Sequence, residues 1–154
     1  MNPKYIVASS KYWHKPTFDQ VASSKIGEWF YAANNQELYE LLETIKPRFI
    51  FFLHWNWLVP KEIWDTFECI CFHMTDVPYG RGGSPLQNLI LAGKKDTKVT
   101  ALRMVEEMDA GPVYLKYPMH LEGSAEEIYL RAGDICWQMI EEIIEQEPIP
   151  EDQK

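Results

Sequence analysis

The sequence predicts one α/β domain with a mostly parallel central sheet and helices on both faces. Three observations predict it. Short apolar segments alternate with helix-patterned ones early in the chain, as in parallel strands joined by crossover helices. Phe49-Ile-Phe-Phe-Leu53 is a continuous apolar run of strand length, which suits a strand covered on both faces. The 154 residues are enough for one sizeable core and too few for two.

The elements follow in order. Lys4–Ala8 reads as a buried first strand ending at Ser9-Ser10. Lys11–Ser24 has no clear pattern, and Ile26–Ala32, rich in aromatics, reads as a strand. Leu38, Leu41, Leu42 and Ile45 recur at helical spacing, with Asn34 or Asn35 as cap and Pro47 as stop. After Phe49–Leu53, a short helix around Lys61–Thr66 follows Pro60, and Cys69–Phe72 is a buried strand ending at His73. The loop Met74–Gly83 carries Pro78, Gly80, Gly82 and Gly83. Ser84, Pro85 and Gln87 then form a helix start, with Ser84 and Gln87 as a capping box. Leu86, Leu89 and Ile90 are the expected inner face of that helix, and Gly93 its end. Val99–Val105 and Val113–Met119 read as two more strands. Ser124 and Glu127 form a second capping box, opening a long helix with Ile128, Ala132, Ile135, Met139 and Ile143 on one face. The expected domain is 1–147, and 148–154 reads as a polar, Pro-broken tail.

A formal net charge of -8 repels a phosphate backbone, so nucleic acid is not expected as the main partner. No run approaches the ~20 apolar residues of a membrane helix, and the start of the chain has no signal-peptide layout. Three cysteines give no disulfide framework, and neither their spacing nor any His/Cys cluster completes a metal site. A cytoplasmic protein without a metal is the expectation.

Three features carry chemistry. His73 sits directly after a buried strand, where parallel sheets place ligands, and imidazole suits proton transfer near neutrality. It also reads as a structural histidine bonded to a loop. Glu106-Glu-Met-Asp-Ala-Gly111 lies between two strand-like segments. An Asp there can orient an imidazole. The same stretch also reads as a plain turn, with Gly111 supplying an unusual backbone angle. Arg81-Gly-Gly-Ser-Pro-Leu-Gln87 is either a helix cap or an anion cradle at a helix start.

The stretch His73-Met-Thr-Asp-Val-Pro-Tyr-Gly-Arg-Gly-Gly-Ser-Pro-Leu-Gln87 resembles the signature of the folate-dependent formyltransferases. That pattern is Asn-x-His, a loop with Leu-Pro, then Arg-Gly-x-x-Pro-hydrophobic-Gln. Asp109-Ala-Gly111 matches the family's Asp-x-Gly, and Trp57-Leu-Val-Pro-Lys-Glu-Ile63 resembles its apolar-Pro segment. The similarity is strongest from Phe49 to about Tyr117. It implies a single Rossmann-like formyltransferase domain in which an amine attacks the formyl carbon of 10-formyltetrahydrofolate. By the resemblance His73 polarises the forming oxyanion and moves protons, and Asp109 orients His73. The pterin would lie against Trp55, Asn56, Trp57 and Leu58 and against the backbone of Val105, Glu106, Glu107 and Met108. Thr75, Arg81, Gly82, Ser9 and Ser10 are expected near the acceptor.

The chain departs from the family at Cys71, which holds the position of the oxyanion-binding Asn. Asn56 and Thr75 are the expected substitute donors. The segment before His73 is also short, implying a small or missing early helix. The acidic balance and the lack of a basic second domain direct the expectation to a small-molecule amine, such as a nucleotide-linked amino sugar, rather than tRNA. The alternatives are a formyltetrahydrofolate hydrolase, a catalytically impaired folate or nucleotide-sugar binding module, and a partner subunit.

Overall fold

The computed structural model describes residues 2–83 and 85–153, so Ser84 and the capping box expected of it lie outside the described residues. Six strands follow in the sheet order β2-β1-β3-β4-β5-β6. They are β1 (Lys4–Ser9), β2 (Glu28–Ala32), β3 (Phe49–Leu53), β4 (Cys69–His73), β5 (Asp96–Arg103) and β6 (Val113–His120). The helices are α1 (Lys15–Ser24), α2 (Asn35–Thr44), α3 (Lys61–Trp64), α4 (Pro85–Leu91) and α5 (Ala125–Gln146). The chain divides into two compact units, 1–70 and 71–154.

In the first unit β1 pairs in parallel with both β2 and β3. Every residue of β3 is buried, as its unbroken apolar run implies. Asn34 is the cap of α2: its side chain accepts the Glu37 N–H at 2.9 Å. The helix ends at Thr44, before Pro47 bars its continuation. The stretch Lys11–Ser24, without a clear pattern in the sequence, is helical. Of the two alternatives expected, a small or a missing early helix, a short one of 10 residues is present. A 3-10 turn at Tyr12–His14 leads into α1, which has Pro16 in its first turn. Of α1, only Phe18 and Val21 are buried, so its apolar stripe is too narrow to stand out as a periodic signal. Helix α3 stops at Trp64, short of Thr66, with Ile63 as its buried residue.

In the second unit β5 and β6 are antiparallel, with a register shift at Ala101/Leu102. The capping box of α5 is formed in full, from Glu127 N–H to Ser124 Oγ at 3.2 Å and from Ser124 N–H to Glu127 Oε1 at 3.0 Å. Helix α5 packs on β5 and β6. It buries Ile128, Ala132, Met139 and Ile143 together with Cys136, Trp137 and Ile140, while Ile135 is only half-buried. In α4, Leu86 and Leu89 are buried, but Ile90, expected inside, is 37% exposed. Gly93 ends that helix at φ 71, and Lys94 N–H closes it on the Leu89 carbonyl at 3.1 Å. Strand β5 ends at Arg103, two residues before Val105, where the chain turns into the Met104–Pro112 connection. The polar, Pro-broken segment after α5 is seated on the start of β6. Glu151 forms a two-bond bridge with Val113, at 2.7 and 2.9 Å.

Candidate functional site

Strand β4 delivers His73 to the start of the 74–83 loop, where it is 6% exposed. Side chains of β5 and β6 hold that loop. Thr97 Oγ1 donates to the Met74 carbonyl at 2.9 Å, and Thr100 Oγ1 to the Thr75 carbonyl at 2.8 Å. Lys116 pairs with Asp76 and donates to the Val77 carbonyl at 2.7 Å. The loop then curls back so that the Gly80 carbonyl meets His73 Nε2 at 2.7 Å. A carbonyl only accepts, so Nε2 carries the proton. A Cβ on Gly80 would fall 2.6 Å from Thr75 Cγ2, and its φ is +69. Glycine is required there on both counts.

Asp109 answers from the β5–β6 connection. Its Oδ2 lies 3.4 Å from His73 Nδ1 and accepts the Gly82 backbone N–H at 2.9 Å. The unusual backbone angle expected of Gly111 belongs instead to Asp109, at φ 55. Gly111 answers a different need, since a Cβ there would stand 1.8 Å from the Arg103 carbonyl oxygen. Both nitrogens of His73 thus face acceptors. These contacts hold the ring in one orientation, with its Nε2–H bonded to the Gly80 carbonyl.

The second unit therefore brings His73, Asp109 and Gly82 together. Thr75 is adjacent, but its hydroxyl donates to Gly80 O at 3.3 Å, so that hydrogen is engaged. Cys71 Sγ faces the Leu102 carbonyl at 3.8 Å in the half-buried part of β4. Val105, Glu106, Glu107 and Met108 form an exposed rim before Asp109. Arg81 is held by Gln153, which sequence reasoning missed: Gln153 Oε1 accepts from Arg81 Nη2 at 2.7 Å and Nε at 3.1 Å.

In the first unit, Ser10 Oγ accepts the Asn56 N–H at 2.8 Å, while Ser9 is buried and its Oγ accepts the Lys11 N–H at 3.2 Å. Ser10 thereby ties the end of β1 to the loop after β3. Trp55 packs edge-on against Trp57, with ring centroids 5.0 Å apart, and Leu58 is 83% exposed. The Trp55 indole nitrogen is buried with no hydrogen-bond partner among the described residues, and so is that of Trp13. His14 and His54, also missed, bond each other through Nε2 and Nδ1 at 2.9 Å. Burial, then the neighbouring charge (His54 on His14, Lys11 on His54), holds each of them down to about 4. No aromatic or histidine spacing in the sequence signals this pair, because His14 lies in the 3-10 turn and His54 in a left-handed turn at φ 52.

No cluster of three or more His, Cys, Asp or Glu side chains fit for a metal ion occurs among the described residues. No helix among them is long and apolar enough to cross a membrane.

Comparison with known proteins gives a consistent picture. A methionyl-tRNA formyltransferase from Clostridium thermocellum superposes with a TM-score of 0.91 at 41% identity, covering 99% of this chain and 69% of that one. A methionyl-tRNA formyltransferase from Nitratiruptor sp. is 39% identical over 79 residues, 51% of this chain and 26% of the relative. One from Caldicellulosiruptor saccharolyticus is 32% identical over 98 residues, 62% of this chain and 32% of the relative. The alignments thus span only about a quarter to a third of these curated relatives. The fold is shared more widely: a 4-N formyltransferase from Francisella tularensis matches with a TM-score of 0.72 at 17% identity, covering 99% of this chain and 73% of that one. The formyl transferase family model matches residues 7–141, most of the chain, and the chain belongs to that family.

Proposed function

We propose that this chain transfers a formyl group from 10-formyltetrahydrofolate to an amine, with His73 and Asp109 as its acid–base pair. The observation that carries the reading is the pairing of a buried His73, protonated on Nε2, with an Asp109 carboxylate fixed by the Gly82 N–H. Bound folate would supply an activated formyl carbonyl. His73 shifts its Nε2–H hydrogen bond from Gly80 to the carbonyl oxygen as the amine attacks and negative charge develops there. The bond from the formyl carbon to N10 then breaks, the proton lost by the amine passes to N10, and tetrahydrofolate leaves. Asp109 keeps the ring oriented and balances its charge during proton transfer. The exposed Val105–Met108 rim, directly before Asp109, is the segment proposed to hold the pterin. Cys71 offers only a weak donor where the family pattern has Asn, so the formyl oxygen is proposed to rely mainly on His73.

The acceptor is proposed to be a small amine, such as an amino sugar on a nucleotide carrier. The net charge of -8 supports a small acceptor. The tRNA formyltransferases among the relatives keep a tRNA-linked amine as the second reading. An assay with 10-formyltetrahydrofolate and a panel of amines tests this, scored for formylated product and free formate. Formylated amine supports transfer. Formate without amine identifies a hydrolase, and neither product leaves a folate-binding module.

A further inference from the structure

We propose that Gln153 is a positioning residue for this site, locking the turn that presents Asp109 to the loop that carries Arg81 and Gly82. The consequence for turnover rests on the formyl-transfer reading. The lock itself rests on geometry alone.

After α5, Glu147 turns the chain at φ 43, and Pro148-Ile-Pro150 restricts it to extended conformations. Glu151 then bonds Val113 in both directions, which seats the segment against the first residue of β6. Two residues later, Gln153 reaches the turn that precedes β6. Its Nε2 donates to the Asp109 carbonyl at 2.8 Å and to the Gly111 carbonyl at 2.9 Å. Its Oε1 accepts both Arg81 contacts. An amide has two hydrogens and two lone pairs, so this side chain has its full set of partners. The partners also dictate its orientation, since carbonyls need the NH2 end and a guanidinium needs the oxygen.

The effect converges on Asp109. That residue holds a left-handed backbone angle, which a residue with a side chain keeps only when its surroundings enforce it. Gln153 grips its carbonyl and that of Gly111, two residues on. Gln153 also anchors Arg81, next to Gly82, whose N–H holds the Asp109 carboxylate. A closed ring runs Asp109–Gln153–Arg81–Gly82–Asp109. Opening it frees the carboxylate from its aim at His73 without removing any group that touches substrate.

Two substitutions separate the lock from general stability. Gln153→Ala removes both halves. Gln153→Glu keeps the acceptor for Arg81 but turns oxygen toward two carbonyls. Nitrogen–proton correlation spectra of the parent and both variants should show the Gly82 and Asp109–Gly111 amides displaced, with those of α5 unchanged. Turnover should fall about 10- to 100-fold, the effect expected of misplacing a catalytic group by around an ångström. KM for the formyl donor and Tm should stay near the parent values. In an Asp109→Asn background, Gln153→Ala should have no additional effect on turnover. Unmoved Gly82 and Asp109 resonances would overturn the proposal, as would turnover loss that merely follows Tm. Should the parent transfer no formyl group, the spectra still decide the lock, while the formyl-transfer reading fails separately.

Discussion

Asp109 Oδ2 lies 3.4 Å from His73 Nδ1 and is held there by the Gly82 N–H, 2.9 Å away. Replacing Asp109 with Asn keeps the shape but removes the charge and presents an amide with one accepting oxygen. Turnover should drop by about 10²–10⁴, the usual contribution of acid–base catalysis. Affinity for the formyl donor, measured at equilibrium, should be unchanged. Equal losses in binding and turnover would mean that Asp109 shapes the pocket rather than serving His73.

Cys71 sits where the family carries Asn, two residues before His73 on β4. A missing oxyanion donor typically costs about 10²–10³ in rate. Cys71→Asn should therefore raise turnover toward that extent, whereas Cys71→Ala, which removes only a weak donor, should leave it nearly unchanged. Steady-state kinetics on the three proteins checks both statements.

Gly111 has no room for a side chain, since its Cβ would lie 1.8 Å from the Arg103 carbonyl oxygen. The obstacle is backbone, so it cannot rotate away. Gly111→Ala should destabilise by about 2–3 kcal/mol, in the range of overpacking. That corresponds to a Tm lower by roughly 5–10 °C for a chain of this size. Gly83→Ala, with open space around its Cβ and no left-handed φ, is the control and should leave Tm nearly unchanged. Thermal unfolding of the two variants separates close approach from generic loop disturbance.

His14 and His54 are kept at about 4 against an ordinary 6.5, chiefly by burial. The unfolded chain takes up protons first, so their contribution to stability is full above 6.5. It falls as the pH drops through the window toward about 4. Each proton removes up to about 1.4 kcal/mol per pH unit within that window. The urea midpoint should decline from pH 7 to pH 5, and less steeply in His14→Phe. A parent midpoint independent of pH would show that the pair is not buried in the neutral form.

Much of the fold is legible because local signals and burial agree. Asn34, Pro47 and the Ser124–Glu127 box each name a helix end that the structure keeps. Phe49–Leu53 names a fully buried strand. Helix α1 is not legible, because only Phe18 and Val21 reach the core and the rest of its surface is polar or small. Ile90 misleads because an apolar residue at helical spacing does not by itself choose between core and solvent. In the site, His73 and Asp109 are legible from motif order, whereas their support is not. Gly80 acts through its carbonyl, and Gln153 acts across 44 residues of sequence through its side-chain amide. Neither leaves a periodicity, and the Pro-Ile-Pro run before Gln153 reads as a loose tail until Glu151 is seen bonded to Val113.

The most direct measurement is a calorimetric titration with a non-hydrolysable 10-formyltetrahydrofolate analogue, on the parent and on Asp109→Asn. Formyl-transfer chemistry requires micromolar binding by the parent and comparable binding by the variant. No binding at millimolar analogue by folded parent protein would contradict a folate site in this chain.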